Sequence, residues 1–148
     1  MAYTLSRSFR FEAAHRLTLG YVGKCNNIHG HSWNGKVSVE CDELTALGMG
    51  VDYKDIGAFI KANVEEVYDH KILLQEHDDC VNEYSVPENS IVRFSENPTS
   101  EILAETIYDN AKLYFDGKGE GKIRVKYVEI NETCQTCCRY TGSTVDSK

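Results

Sequence analysis

Along residues 3 to 12, Tyr3, Leu5, Phe9 and Phe11 fall on one side, and Thr4, Ser6, Ser8, Arg10 and Glu12 on the other. That period of two predicts a half-buried strand. Residues 33 to 41 repeat it, with Trp33, Val37, Val39 and Cys41 on one face. From Asp52 the period lengthens. Ile56, Phe59, Ile60, Val64, Val67 and Tyr68 recur at three and four residues, which predicts an amphipathic helix with Asp52 as its N-cap. A second helix is signalled near residue 97. Asn97 can cap, Pro98 suits the first helical position, Glu101 favours the positive end, and Leu103, Ile107, Ala111 and Tyr114 form the apolar stripe. KIRVKYVEI, residues 122 to 130, reads as a third major strand, and residues 136 to 143 as a weaker fourth. Residues 71 to 96 keep no period. They carry acidic clusters, Pro87 and one short β-like run from Ile91 to Phe94, and are expected to form a long loop or small excursion.

The predicted order is ββααββ. Antiparallel strands with helices covering one face make an α+β fold. The 148 residues fit one domain spanning 1–148, with no internal repeat and no linker-like stretch.

Composition narrows the function classes. No run of 18 or more apolar residues occurs, so no transmembrane helix is expected. The first residues, MAYTLSRSFRFEAAH, lack a continuous apolar stretch, so no signal peptide is expected and the default location is cytoplasmic. The net charge is −7, and the 16 Lys and Arg form no basic block. Sequence-independent binding of nucleic acid needs clustered phosphate contacts, so no nucleic-acid partner is expected. A local pocket for a phosphorylated small molecule stays open. Six cysteines stand at 25, 41, 80, 134, 137 and 138. In a reducing compartment they are expected as thiols, ligands or a nucleophile rather than as disulfides.

Candidate chemistry concentrates in CNNIHGHSW, residues 25 to 33. In extended chain, positions i and i+2 share a face, so His29 and His31 can aim at one point, and His15 ends the preceding strand. Three neutral imidazoles with one open position make a catalytic zinc site. Cys25 fits either as a fourth ligand that closes the site or as a separate acid/base beside it. Asp69-His70, after the first helix, offers a carboxylate that can orient an imidazole. Glu132, after the third strand, can accept two parallel N–H donors from a pterin or guanine edge. Cys134-Gln-Thr-Cys137-Cys138 has metal-like spacing but no matching second pair. The basic residues Arg16, Lys24 and Lys54 lie near these motifs in sequence only.

FEAAHRL, CNNIHGHSW, a helix ending in DHK, ENPTSE, and a strand followed by ET occur in this order. Together they resemble the 6-pyruvoyltetrahydropterin synthase / 6-carboxytetrahydropterin synthase superfamily over residues 9 to 140. The resemblance implies the tunnelling fold, in which trimers close a β-barrel with helices outside and two trimers stack as a homohexamer with sites at subunit interfaces. It implies zinc on His15, His29 and His31, and Cys25 as a catalytic residue rather than a ligand. Asp69 and His70 match the relay partners of that cysteine, supplied by an adjacent subunit. Glu132 matches the pterin anchor, and Thr99 and Ser100 the segment lining the pterin pocket. The implied substrate is the small molecule 7,8-dihydroneopterin triphosphate.

Pyruvoyl-forming members typically place five residues between the cysteine and His-Gly-His. Here Asn26, Asn27 and Ile28 are the only three. That spacing resembles the 6-carboxy-5,6,7,8-tetrahydropterin synthases of queuosine biosynthesis, which also release acetaldehyde. One departure is the length of residues 71 to 96, closer to pyruvoyl-forming members. A non-catalytic zinc-containing pterin-binding module is the remaining alternative.

Overall fold

The computed structural model describes residues 2–116 and 118–143. The first strand, β1 (Tyr3–His15), and the second, β2 (His29–Cys41), pair antiparallel along their whole length, with His15 opposite His29 and Ala13 opposite His31. β2 therefore begins four residues earlier than its apolar alternation suggests, and the His-Gly-His motif lies inside the sheet.

The first helix, α1, starts at Tyr53–Ile60 with the Asp52 side chain accepting from the Lys54 N–H at 2.8 Å. It continues through a π-helical stretch, Lys61–Glu65, into a last turn, Glu66–Tyr68. Ile56, Phe59, Ile60, Val64 and Tyr68 are buried, as the periodicity predicts.

The 71–96 segment departs from the sequence expectation. It forms β3 (Lys71–Gln75), a four-residue helix α2 (Val81–Tyr84) and β4 (Ile91–Phe94). Both strands are parallel to their neighbours, and the six-stranded sheet runs β4-β3-β1-β2-β5-β6. The sheet is thus mixed rather than wholly antiparallel. The period was unreadable because Leu73, Leu74 and Gln75 are all buried. A strand covered on both faces shows an apolar run, not an alternation.

The second long helix, α3 (Ser100–Phe115), starts two residues later than Asn97 would make it. Thr99 is its cap, with Oγ1 accepting from the Ile102 N–H at 3.3 Å. Asn97 is used elsewhere: its Oδ1 accepts from the Thr18 and Leu19 N–H groups at 2.9 and 3.2 Å. β5 (Ile123–Asn131) pairs antiparallel with β2, and the short β6 (Cys138–Tyr140) with β5.

One face of the sheet meets α1 and α3. Phe9, Phe11, Trp33, Val37 and Val128 pack there against Ile56, Phe59, Leu103, Ile107 and Phe115. Each such side chain contributes about 1.5–3 kcal/mol by leaving water. His15 is carried on the same face at the end of β1 and is 1 % exposed. Among the described residues no helix is long and apolar enough to cross a membrane.

Candidate metal centre

His15, His29 and His31 come together at the end of the β1–β2 pair. Each offers a ring nitrogen, and these atoms all lie within 4.8 Å of one another. Odd-numbered positions of both strands face the helices, so the pleat alone aims all three rings at one region.

Two backbone carbonyls fix the tautomers. His15 Nδ1–H donates to the Pro98 carbonyl at 2.7 Å, and His29 Nδ1–H to the Asn27 carbonyl at 2.7 Å. A carbonyl only accepts, so each neutral ring carries its proton on Nδ1 and leaves Nε2 bare. These two bare nitrogens face each other at 3.0 Å. His31 Nε2 is buried and has no hydrogen-bond partner. Burial pushes the His15 imidazole down to about 4, against the Pro98 bond, and His29 and His31 push the same way. Burial also lowers His31, opposed by the Glu132 charge. A proton is therefore a poor way to relieve the facing lone pairs. A divalent cation satisfies all three nitrogens at once, and the Nδ1 carbonyl bonds are the outer contacts that orient metal-bound histidines. The donor set fits a metal such as zinc.

Trp33 walls the centre. Its ring meets those of His15 and His31 edge-on, with centroids 4.9 and 5.1 Å apart, and its indole N–H is spent on the Ala13 carbonyl at 3.1 Å.

The other expected site residues divide into two groups. Glu132, just past β5, is half-buried and close enough for its charge to act on His31. Thr99 and Ser100 open α3, one residue beyond the Pro98 carbonyl that holds His15. Cys25 sits in a short 3-10 turn, Lys24–Asn26, and is not part of the three-nitrogen cluster. Asp69 and His70 lie apart. Asp69 Oδ2 accepts from His70 Nδ1–H at 2.9 Å, and Asp69 Oδ1 accepts from the Glu12 N–H at 2.9 Å. The Glu12 and His70 bonds hold the Asp69 carboxyl below its usual value. His70 has a positive φ of 59° and is locked by its own N–H donating to the Glu12 carbonyl at 2.7 Å. Such a conformation persists only where the surroundings hold it. The ring lines a surface cavity of about 380 Å³ that it shares with Glu12, Gly30, Ser32 and His31 of the histidine cluster. Among the described residues no hydrogen bond joins Cys25 to Asp69 or His70.

Some contributors had no sequence signal. The Pro98 and Asn27 carbonyls act through backbone and are invisible to motif reading. Arg16, near the motifs and basic, is already taken: it donates to buried Asp78 through Nε at 2.7 Å and Nη2 at 2.5 Å. Asp78, in the segment expected to be a loop, thereby ties the 71–96 region to the chain that follows His15.

The family described as 6-pyruvoyl tetrahydropterin synthase matches residues 4–143. The 6-carboxy-5,6,7,8-tetrahydropterin synthase of Bacillus subtilis is 30 % identical, aligned over 94 % of this chain and 85 % of its own length. That of Aquifex aeolicus is 32 % identical over 95 % of this chain and 98 % of its own. Among solved structures, an uncharacterised protein of Wolinella succinogenes shares the fold with TM-score 0.80 at 21 % identity, covering 97 % of this chain and 99 % of that one. Caenorhabditis elegans 6-pyruvoyl tetrahydropterin synthase gives TM-score 0.69 at 25 % identity, covering 97 % of each chain. With a family match over nearly the whole chain and relatives similar end to end, this protein belongs to the 6-pyruvoyl tetrahydropterin synthase family.

Proposed function

We propose that this protein converts 7,8-dihydroneopterin triphosphate to 6-carboxy-5,6,7,8-tetrahydropterin, releasing acetaldehyde and triphosphate, with zinc held by His15, His29 and His31. The carrying observation is three converging imidazole nitrogens, one orphaned and two lone-pair to lone-pair, with Cys25 outside their cluster. A cysteine outside the ligand set leaves a coordination position for substrate, as a catalytic site requires. The names of the relatives in Bacillus subtilis and Aquifex aeolicus support the carboxy product.

Zinc at this centre supplies Lewis acidity to the oxygens of the substrate side chain, making the neighbouring C–H protons easier to remove. The residues of the chain do the rest. Cys25 as thiolate takes a carbon-bound proton. Asp69 orients the His70 ring through Nδ1–H and leaves Nε2 as the exchanging nitrogen. Glu132 accepts two N–H groups of the pterin edge, while Thr99 and Ser100 wall the ring, so that the side chain is positioned rather than merely bound.

Among the described residues no hydrogen bond joins Asp69 or His70 to Cys25, and both are tied to Glu12 of β1. In this reading they serve a neighbouring subunit's cysteine, which makes the enzyme an obligate oligomer, a hexamer of two stacked trimers. The strand edges of β4 and β6, unpaired in the single chain, supply surfaces for that closure. The location proposed is the cytoplasm, and the chain is proposed to act as one domain.

Product analysis tests the reading. Zinc-loaded protein is incubated with 7,8-dihydroneopterin triphosphate, and acetaldehyde and pterin mass are measured together. Acetaldehyde with a 6-carboxy pterin is expected. A 6-pyruvoyl pterin without acetaldehyde would instead assign the product to the pyruvoyl branch. Tight pterin binding with no turnover would make the protein a binding module.

A further inference from the structure

The chain between β1 and β2 runs over the surface. From residue 19 to residue 28 every position is exposed except Cys25, which is half-buried. Val22 is 95 % exposed and Leu19 53 %, so apolar packing does not place this loop. Hydrogen bonds do. Inside the loop, Leu17 N–H donates to the Cys25 carbonyl at 2.8 Å, and Asn26 Nδ2–H to the Leu17 carbonyl at 3.1 Å. Tyr21 N–H closes a turn on the Thr18 carbonyl at 3.0 Å, and Asn26 N–H another on the Gly23 carbonyl at 3.1 Å. These bonds shape the loop without placing it on the protein. Two side chains from elsewhere do that. Asp78 holds Arg16 at the root, and Asn97 reaches further in, with Oδ1 accepting from the Thr18 and Leu19 N–H groups at 2.9 and 3.2 Å. The Leu17 carbonyl and the Thr18 N–H belong to one planar peptide group. Asn97 holds the N–H end of that plane, and the carbonyl end receives Asn26, the residue after Cys25. One rigid plane between two hydrogen bonds thus separates Asn97 from the cysteine turn. On its other side Asn97 is joined to buried Pro98, whose carbonyl accepts from His15 Nδ1–H at 2.7 Å. Proline fixes its own φ and restricts the residue before it, so the Asn97–Pro98 unit is stiff. One residue of this unit holds the frame of the cysteine turn, and the next holds His15.

We propose that Asn97 is a positioning residue that fixes the turn carrying Cys25 relative to His15 and the metal centre. The inference rests on the roles proposed above for Cys25 and the three histidines, but the clamp itself is testable without substrate. A base must stand at a set distance and angle from the proton it takes, and losing that geometry lowers the rate without weakening substrate binding. An exposed loop has no packing to supply such order, and the Asn97 bonds supply it before substrate arrives. Both bonds use Oδ1, so an acceptor oxygen is what this position has to offer. The start of α3 does not depend on it, because Thr99 provides that helix with its cap.

The test uses the full-length, metal-loaded protein. Asn97→Ala removes the acceptor, and Asn97→Asp keeps one in the same place. Amide deuterium exchange is followed by peptide mass. In Asn97→Ala the peptide covering residues 16–27 should exchange about tenfold faster, the order for a local opening that has lost one or two ordinary hydrogen bonds. Peptides from β2 and β5 should exchange as in wild type. kcat on 7,8-dihydroneopterin triphosphate should fall by about 10–100-fold, the scale of a misplacement approaching 1 Å, while KM and metal content hold. Asn97→Asp should restore slow exchange and most of kcat. A merely structural residue would lower the unfolding midpoint and leave kcat of the folded protein unchanged. Wild-type exchange over 16–27 in Asn97→Ala, faster exchange with unchanged kcat, or no rescue by Asn97→Asp would overturn the proposal. Loss of metal would overturn it too, because the segment would then act through His15 alone. Should Cys25→Ala keep full turnover, the role given to Cys25 fails, while faster exchange over 16–27 in Asn97→Ala still upholds the clamp.

Discussion

Two buried polar clusters flank the chain around His15 and Arg16, and they are built on opposite terms. At Arg16–Asp78 every strong group is paired. Asp78 takes two bonds from the Arg16 guanidinium and one from the Cys80 N–H at 3.0 Å, and its own carbonyl accepts from Arg93 at 3.1 Å. At the three histidines the pairing stops short. The outward nitrogens of His15 and His29 have carbonyl partners, while the inward ones face each other and His31 Nε2 has none. A buried polar group left unmatched costs about 1–3 kcal/mol. One cluster completes itself and holds the fold, whereas the other leaves three nitrogens that could hold a metal ion. Neighbouring positions in sequence thus separate architecture from chemistry by what is left unsatisfied.

The contrast is broken most directly at the incomplete cluster. His29→Ala should abolish turnover and lower bound metal from about one equivalent per chain, the content of a single catalytic site, to near zero, read by elemental analysis. Because the ligand is half-buried at a strand end, the fold should persist by circular dichroism; unchanged metal content would remove His29 from the site. Cys25→Ala sharpens the boundary of the cluster. Turnover should fall by about 10²–10⁴-fold, the range for loss of an acid/base group, with metal content unchanged. Loss of metal along with activity would instead put the sulfur in the ligand set.

At the complete cluster the expected effect is on stability. Asp78→Ala strands Arg16, and breaking a buried pair costs about 3–5 kcal/mol; the lower end applies since Arg16 is 22 % exposed. Denaturant midpoints would show it, and a change under about 0.5 kcal/mol, the range of ordinary surface substitutions, would mean the pair is not structural. The same pair predicts a pH dependence. Burial raises the Asp78 carboxyl, but the Arg16 bonds and the Cys80 N–H outweigh it and leave it below the ordinary 3.8. The unfolded chain then binds the proton first as pH falls. The stabilisation is whole above the unfolded value and is lost as pH drops below 3.8 through the folded one. Acid titrations of wild type and Asp78→Asn should therefore converge at low pH, and parallel curves would contradict the assignment. The smallest effect belongs to the exposed surface. Arg124 contacts Glu40 and Asp42 in water, so Arg124→Ala should leave the denaturant midpoint nearly unchanged by the same measurement.

Much of this was legible in the residues alone. Alternation gave β1 and β2, and the three-four spacing gave the buried face of α1, since a single exposed face imposes a period. His-Gly-His needed only the pleat to bring its two imidazoles together with His15. β3 was hidden because Leu73 and Leu74 are covered on both sides and no period survives there, whereas β4 coincides with the β-like run at Ile91 to Phe94. The start of α3 was misplaced because Asn97 and Thr99 are both good caps. The choice between them was made by Thr18 and Leu19, whose N–H groups lie far off in sequence and near in space. The sequence by itself determined the three clustered imidazoles, the strands that align them and the family of the chain, because these depend on residue identity and local period. Which nitrogen of His15 and His29 stays bare, that Arg16 is taken by Asp78, and that Asp69 and His70 are tied to Glu12 were decided only by the tertiary structure. Those outcomes hang on carbonyls, carboxylates and strand edges brought together from distant positions, and no local pattern encodes a partner it does not contain.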